Sequence, residues 1–175
     1  MHDGFIRIAR SALDGNRDSP TRESELRRCI STAYYALFHY LICDTASFIS
    51  DTYLRSAYAR TINHANVLTV AKTVAGWKHP NNFKNATEPY KSLVGDGVTV
   101  DLVDLCEAFV FLQGERIESD YNTTSVFDEL RALTAVERAE DAINRWSRIK
   151  STNEGKAFMM LVFMNGRERK QGTTQ

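Results

Sequence analysis

The chain has 175 residues, enough for one domain with a full hydrophobic core and too few for two comfortable ones. With 43% hydrophobic and 25% charged residues, three prolines and nine glycines, its composition excludes a disordered chain and a turn-rich β architecture. Its 22 basic residues cancel its 22 acidic ones, so no global field draws it to nucleic acid or membrane, although a local basic patch remains compatible with RNA. Cys29, Cys43 and Cys106 are odd in number and widely spaced, without a CxxC or a zinc-type pairing with histidine. All three fall inside apolar helical patterns and read as buried free thiols in a reducing cytosol. The N-terminal Met-His-Asp-Gly-Phe lacks the pattern of a signal peptide. The longest apolar run, Ala157 to Met164, falls well short of the roughly 20 residues that span a bilayer. A cytoplasmic protein without membrane contact is expected.

In chain order, Phe5 to Leu13 carries apolar residues at helical spacing, Phe5, Ile8 or Ala9, and Ala12 or Leu13, and ends at the turn signal Asp14-Gly15-Asn16. Ser19-Pro20 opens a second helix to about Phe48, with Glu23 and Glu25 suited to its positive N-terminal dipole. Its stripe Leu26, Ile30, Ala33, Leu37 and Tyr40 or Leu41 is widened by Tyr34, Tyr35 and Phe38, so this helix should pack against several neighbours. Asp51 is placed to cap a third helix, from Thr52 to about Val74, closed by Gly76. Trp77 to Thr99 reads as a long ordered loop with one helical turn near Thr87 to Leu93. A fourth helix runs from Val100 or Asp101 to about Ser119. Its stripe is Leu102, Leu105, Cys106, Phe109 and Leu112, and its place should be central, beside the second.

Ser125-Val-Phe-Asp128 resembles a capping arrangement for a fifth helix to about Lys150, with the stripe Phe127, Leu130, Leu133 or Thr134, Glu137, Ala139, Ala142, Ile143 and Trp146. Ser151-Thr-Asn-Glu154 forms a capping box for a short sixth helix through Met164, stopped by Asn165-Gly166. No stretch alternates as a strand does. The fold class expected is all-α: an up-and-down bundle of about five main helices plus a short C-terminal helix, in one domain over residues 1–166, with a frayed tail over 167–175.

No Gly-rich phosphate loop, HExxH, GxSxG or EF-hand pattern occurs, and the four histidines are scattered, so neither a metal nor a cofactor is expected. One residue stands out on periodicity. Arg116 continues the buried stripe of the fourth helix, followed one turn later by Asp120. Spacing alone favours an Arg116 paired with Asp120 or Glu115 near the helix end, its stem along apolar neighbours. The other reading is an arginine in a groove, aimed at phosphate or carboxylate. Arg60 and His64, one turn apart on the third helix, have the makings of an anion site or an acid–base pair, but a histidine wedged between helices fits the spacing better. His39, beside Tyr35 and Phe38, reads as a core or groove-lining residue.

The stretch Leu26-Arg-Arg-Cys-Ile-Ser-Thr-Ala-Tyr-Tyr-Ala-Leu-Phe-His39 resembles the second-helix signature of HEPN-domain proteins, R-x-x-S-x-A-Y-Y-A-x-F-H. It is matched by Arg28, Ser31, Ala33, Tyr34, Tyr35, Ala36, Phe38 and His39. Leu112-Gln113-Gly-Glu-Arg116-Ile-Glu-Ser-Asp120-Tyr121-Asn is similar to the family's L-Q-x-x-R-x-x-A-D-Y-D, with Ser119 for Ala and Asn122 for Asp. The likeness covers about residues 5 to 150. It implies a helical bundle that dimerises so that two polar segments face each other across a cleft. Many relatives are metal-independent ribonucleases, and several act as toxins beside a small nucleotidyltransferase. Their motif is an arginine followed, after four to six residues, by a histidine. The arginine would stabilise the phosphorane charge while histidine helps deprotonate a ribose 2′-hydroxyl. Here the corresponding positions are Tyr121, Asn122 and Thr123, so the arginine carries over as Arg116 and the general base does not.

The expectation is therefore a HEPN-like module that binds a nucleotide, an RNA or a protein partner through a homodimer cleft lined by Arg116, Asp120 and Tyr121, with Tyr35, His39 and His64 as neighbours. It would belong to a toxin–antitoxin or defence system. The alternative is a metal-independent endoribonuclease in which Arg116 and Tyr121 carry the chemistry with a non-standard base. A third reading is a regulatory subunit modified at Tyr121 or neighbouring hydroxyls by a nucleotidyltransferase partner.

Overall fold

Apolar residues recurring at helical spacing, cut by Asp, Asn and Gly turns, leave this backbone one economical way to satisfy its N–H and C=O groups: short connections between helices. A computed structural model describes residues 2–15, 20–79, 83, 86, 88–95 and 97–168. Among them are eight helices and no strand: α1 (His2–Leu13), α2 (Arg22–Ala46), α3 (Thr52–Ala59), α4 (His64–Gly76), α5 (Glu88–Val94), α6 (Val100–Tyr121), α7 (Glu129–Ile149) and α8 (Asn153–Glu168). The protein is an all-helical bundle, and no helix among the described residues is long and apolar enough to cross a membrane. Residues 1–40 with 108–144 form one compact unit, and residues 41–107 with 145–175 form another.

The first unit is built on α2 and α6. Leu26, Ile30, Ala33, Tyr34, Leu37 and Phe38 of α2 are buried, as are Phe109 and Leu112 of α6. The Tyr34 and Phe109 rings meet with centroids 5.6 Å apart. Helix α1 adds Ala9, fully buried, while Ile8 is exposed, which settles the register of its apolar face. Helix α7 contributes Ala132, Ala135, Val136, Ala139 and Ala142. The stripe expected to include Leu130 begins instead at Ala132, and Leu130 is 71% exposed. Asp128 is the cap, accepting from the Arg131 N–H at 2.8 Å, and Leu130 lies about 200° around the helix from Ala132.

In the second unit the expected third helix is two helices. The Arg60 N–H turns back onto the Tyr58 carbonyl, and Asn63 starts α4 by accepting from the Asn66 N–H at 3.0 Å. A capping side chain thus breaks a segment whose periodicity ran through it. The helical turn expected within 77–99 is α5, and Trp77, Phe83 and Tyr90 are buried against one another, with Trp77 and Tyr90 centroids 4.6 Å apart. Helix α8 packs against α4 and α5. It continues beyond Met164 to Glu168, and Asn165, expected as a stop signal, donates to the Asn66 carbonyl at 3.2 Å. From residue 169 onward the expected tail lies outside the described residues. Cys29 and Cys106 are buried as expected, but Cys43 is exposed. Burial pushes the Cys29 thiol up to about 11 and the Cys106 thiol well above its usual range.

The expected capping box at Ser151 is shifted by one residue. Thr152 caps α8 by accepting from the Gly155 N–H at 3.2 Å. Glu154 leaves its own helix and accepts from the Thr99 N–H at 2.6 Å and the Thr99 hydroxyl at 2.7 Å. Thr99 in turn faces the Leu102 N–H, so a buried carboxylate sits on the positive end of α6. Gly155 has no room for a side chain, because a Cβ there would overlap the Ile149 carbonyl and the Lys150 Cα. Gly155→Ala is expected to cost about 2–3 kcal/mol. Gly4→Ala in α1, where a Cβ meets open space, should be neutral or slightly stabilising through helix propensity. Thermal denaturation of the two variants checks the contrast, and equal midpoints would refute it.

Candidate functional site

Helix α6 carries its buried stripe of Leu102, Leu105, Cys106, Phe109 and Leu112 into Arg116, as the spacing requires. Within the first unit the Arg116 side chain is only 15% exposed. Its Nη2 donates to the Tyr35 hydroxyl at 3.0 Å, and its Nε lies 2.7 Å from Asp120 Oδ2. The Nε–H does not reach hydrogen-bond geometry with that oxygen, so the Asp120 contact is an ion pair with a misdirected donor. The guanidinium carbon is 5.7 Å from the Tyr35 ring centre and 5.5 Å from that of Tyr121, within cation–π range of both. Desolvation works against the charge of Arg116, but attraction to Tyr35, the hydrogen bond to it, and the proximity of Asp120 and Tyr121 hold its pKa above the ordinary value.

Tyr35 links this cation to a row of rings on the accessible side of α2. Tyr35 and His39 stack with centroids 5.9 Å apart, and His39 stacks on Phe5 of α1 at 5.4 Å and 9°. Burial lowers the His39 pKa. The ring is a member of an aromatic stack with Phe5 and Tyr35. Tyr34, on the buried side, has its ionisation pushed up by desolvation, with Arg116 pulling weakly the other way, and stays a neutral phenol. Tyr121, in contrast, is 70% exposed.

The site is held by a residue that sequence reasoning passed over. Arg27 donates from Nη1 to the Ser119 carbonyl at 3.1 Å and the Asn122 carbonyl at 2.8 Å, and from Nη2 to the Ser125 carbonyl at 2.6 Å. Glu23 accepts from the same guanidinium at 2.9 Å, and the Phe127 ring lies 4.4 Å beneath it. Arg27 thereby caps the C-terminal end of α6 and the turn after it. Arg22 does the same for α1, donating to the Ala12 and Leu13 carbonyls at 2.7 and 2.9 Å. Both were detectable by the periodicity that exposed Arg116: Arg27 is in register with Ile30 and Tyr34, and Arg22 with Leu26 and Cys29, all buried.

Asn122 is committed to structure. Its Oδ1 accepts from the Thr124 N–H at 3.0 Å and the Thr124 hydroxyl at 2.8 Å, while its Nδ2 donates to Glu118 at 2.8 Å. Glu115 is held by Arg131 at 2.5 and 3.2 Å. The first unit thus brings together Arg116, Asp120, Tyr121, Tyr35 and His39. His64 belongs to the second unit as the first residue of α4, whereas Arg60 is the C-cap of α3, so the two do not share a helix. Among the described residues, no group of three or more His, Cys, Asp or Glu side chains is placed to hold a metal ion. Comparison with protein-family models, with curated proteins and with solved structures finds no match for this chain.

Arg27→Lys keeps the charge but loses the fork that serves three carbonyls at once, and should destabilise the protein by about 1–2 kcal/mol in denaturant titration. A variant as stable as the wild type would remove Arg27 from this role. For His39 the lowered pKa sets the sign: the unfolded chain takes up the proton first, so this contribution is complete above about pH 6.5 and declines as pH falls toward the folded value. His39→Phe, which preserves the stack, should therefore flatten the fall in melting temperature between about pH 7 and 5. Parallel curves for the two proteins would contradict this.

Proposed function

We propose that this chain is a HEPN-like helical module that binds a nucleotide, or an RNA presenting one, at the end of α6. The observation that carries the reading is Arg116, a mostly buried guanidinium between the Tyr35 and Tyr121 rings, with Tyr121 itself open to solvent. Phosphate suits the guanidinium, and the exposed ring offers a stacking face to a base. Asp120 completes the charge balance, and His39 and Tyr35 supply an aromatic wall. The resemblance of residues 26–39 and 112–122 to the HEPN signatures supports the same reading, as does the coincidence of those two stretches in one unit.

The module is proposed to act as a homodimer. Ile117 and Tyr121 are exposed one turn apart on α6, and Val126 and Leu130 are exposed in the same unit. Apolar side chains beside a charged site favour coverage by a second surface. A nucleotidyltransferase protein partner, a place in a toxin–antitoxin or defence system, and a cytoplasmic location belong to the same proposal. The free thiols fit a reducing compartment. A ribonuclease that uses Arg116 with Tyr121 is the weaker reading, since Tyr121, Asn122 and Thr123 include no histidine and the Asn122 amide is tied into its turn.

Calorimetric titration with 5′-AMP tests the binding site. Arg116→Ala should weaken the affinity about tenfold or more, the size of a charge-assisted hydrogen bond lost. Equal binding by both proteins would place the nucleotide elsewhere. Incubation with total RNA in EDTA separates the alternatives: cleavage by the wild type that Arg116→Ala abolishes would make the protein an enzyme. Ile117→Asp should shift the mass measured by light scattering from dimer to monomer at micromolar concentration, and a wild-type monomer would refute the shared cleft.

A further inference from the structure

The last turns of α6 hold three carboxylates, and they are held very differently. Glu115 accepts from the Arg131 Nε and Nη2. Glu118 accepts from Asn122 and from the Ser125 hydroxyl. Among the described residues Asp120 pairs with Arg116, through an ion pair whose Nε–H is misdirected. Its side chain is 28% exposed, and it stands at the negative end of the helix, where the Arg27 guanidinium is engaged with the Ser119 and Asn122 carbonyls. Rotating Asp120 into water breaks no well-formed hydrogen bond. The same rotation uncovers an N–H of Arg116 that is now buried and unsatisfied.

We infer that Asp120 is a displaceable counter-anion that selects a phosphate monoester over a phosphodiester at Arg116. This rests on the nucleotide-binding reading above and names its ligand class. An incoming anion must outcompete a carboxylate of unit charge for one guanidinium. A terminal phosphate carries a charge of about −1.5 to −2 near neutral pH and has three acceptor oxygens. An internal diester carries one charge, no more than the group it would replace. The surrounding field sharpens the choice. Residues 1–40 and 108–144 contain nine arginines, no lysine and thirteen acids, a net charge of −4. Arg10, Arg22, Arg27 and Arg131 are already engaged with protein groups. A long polyanion laid across this unit meets net repulsion, whereas a small ligand places its charge on Arg116 alone. The exposed Tyr121 ring beside Arg116 then receives the base.

The test compares 5′-AMP with the dinucleotide ApA, which has a diester and no terminal phosphate, by calorimetric titration of the full chain. The wild type should favour AMP about tenfold. Asp120→Asn, isosteric and partly exposed, should tighten ApA about fivefold, the order of one exposed charge contact, and so narrow the preference. Arg116→Ala should weaken both ligands. Thermal denaturation verifies that the variants are folded. If Arg116→Ala removes binding but Asp120→Asn leaves both affinities unchanged or weaker, the selector role is overturned while the nucleotide site stands. Equal binding of AMP and ApA by the wild type has the same consequence. If neither the wild type nor Asp120→Asn binds either ligand, the nucleotide site and the selector role fall together.

Discussion

Guanidinium groups on α2 hold the first unit together by capping the carbonyl ends of its neighbours. A helix C-terminus leaves four carbonyls without intrahelical partners, and burying them unsatisfied is costly. Arg22 serves α1 and Arg27 serves α6. Because a planar fork can meet two or three carbonyls only in a narrow range of orientations, each arginine also determines where the capped helix stops relative to α2. The direction in which Arg116, Asp120 and Tyr121 leave α6 depends on that constraint.

The second unit solves the equivalent problem at the opposite helix pole. Glu154 places a carboxylate on the N-terminal end of α6 through Thr99, and Asp44 accepts from the Trp146 indole at 2.7 Å. Asp101 receives Arg145 at 2.7 Å and Arg148 at 2.9 Å. Glu154, which is buried, directs its charge at the positive end of a helix, and this makes its burial tolerable, while the part-buried Asp44 and Asp101 each meet donors of their own. Arg116 follows the rule incompletely. It has Tyr35 as a good partner and Asp120 as a poor one.

Much of this was readable in advance. The buried faces of α2 and α6 and the position of Arg116 at the end of a buried stripe follow from helical spacing, because a side chain every three or four residues must share its neighbours' environment. The same logic applied to Arg22 and Arg27 would have marked them. It failed at Leu130, where the choice of cap rotated the helix start, and across Arg60–Asn63, where a capping asparagine interrupted a continuous apolar pattern. Caps compete with periodicity through single hydrogen bonds of similar local merit, and sequence spacing does not rank them.

The amino-acid sequence by itself determined the helical class, the apolar faces, and the presence of an arginine where the buried stripe of α6 runs out, since these depend on interactions within a few residues. Only the tertiary structure decided what that arginine and its neighbours do. The carbonyls that Arg27 caps lie more than ninety residues away, and Glu154 left an apparent capping box for Thr99 across fifty-five residues. Tyr35 and Asp120, one remote and one a single turn distant, divide the guanidinium of Arg116 unequally. Such choices are made by which carbonyls and charges meet when helices pack, and no local rule contains that information.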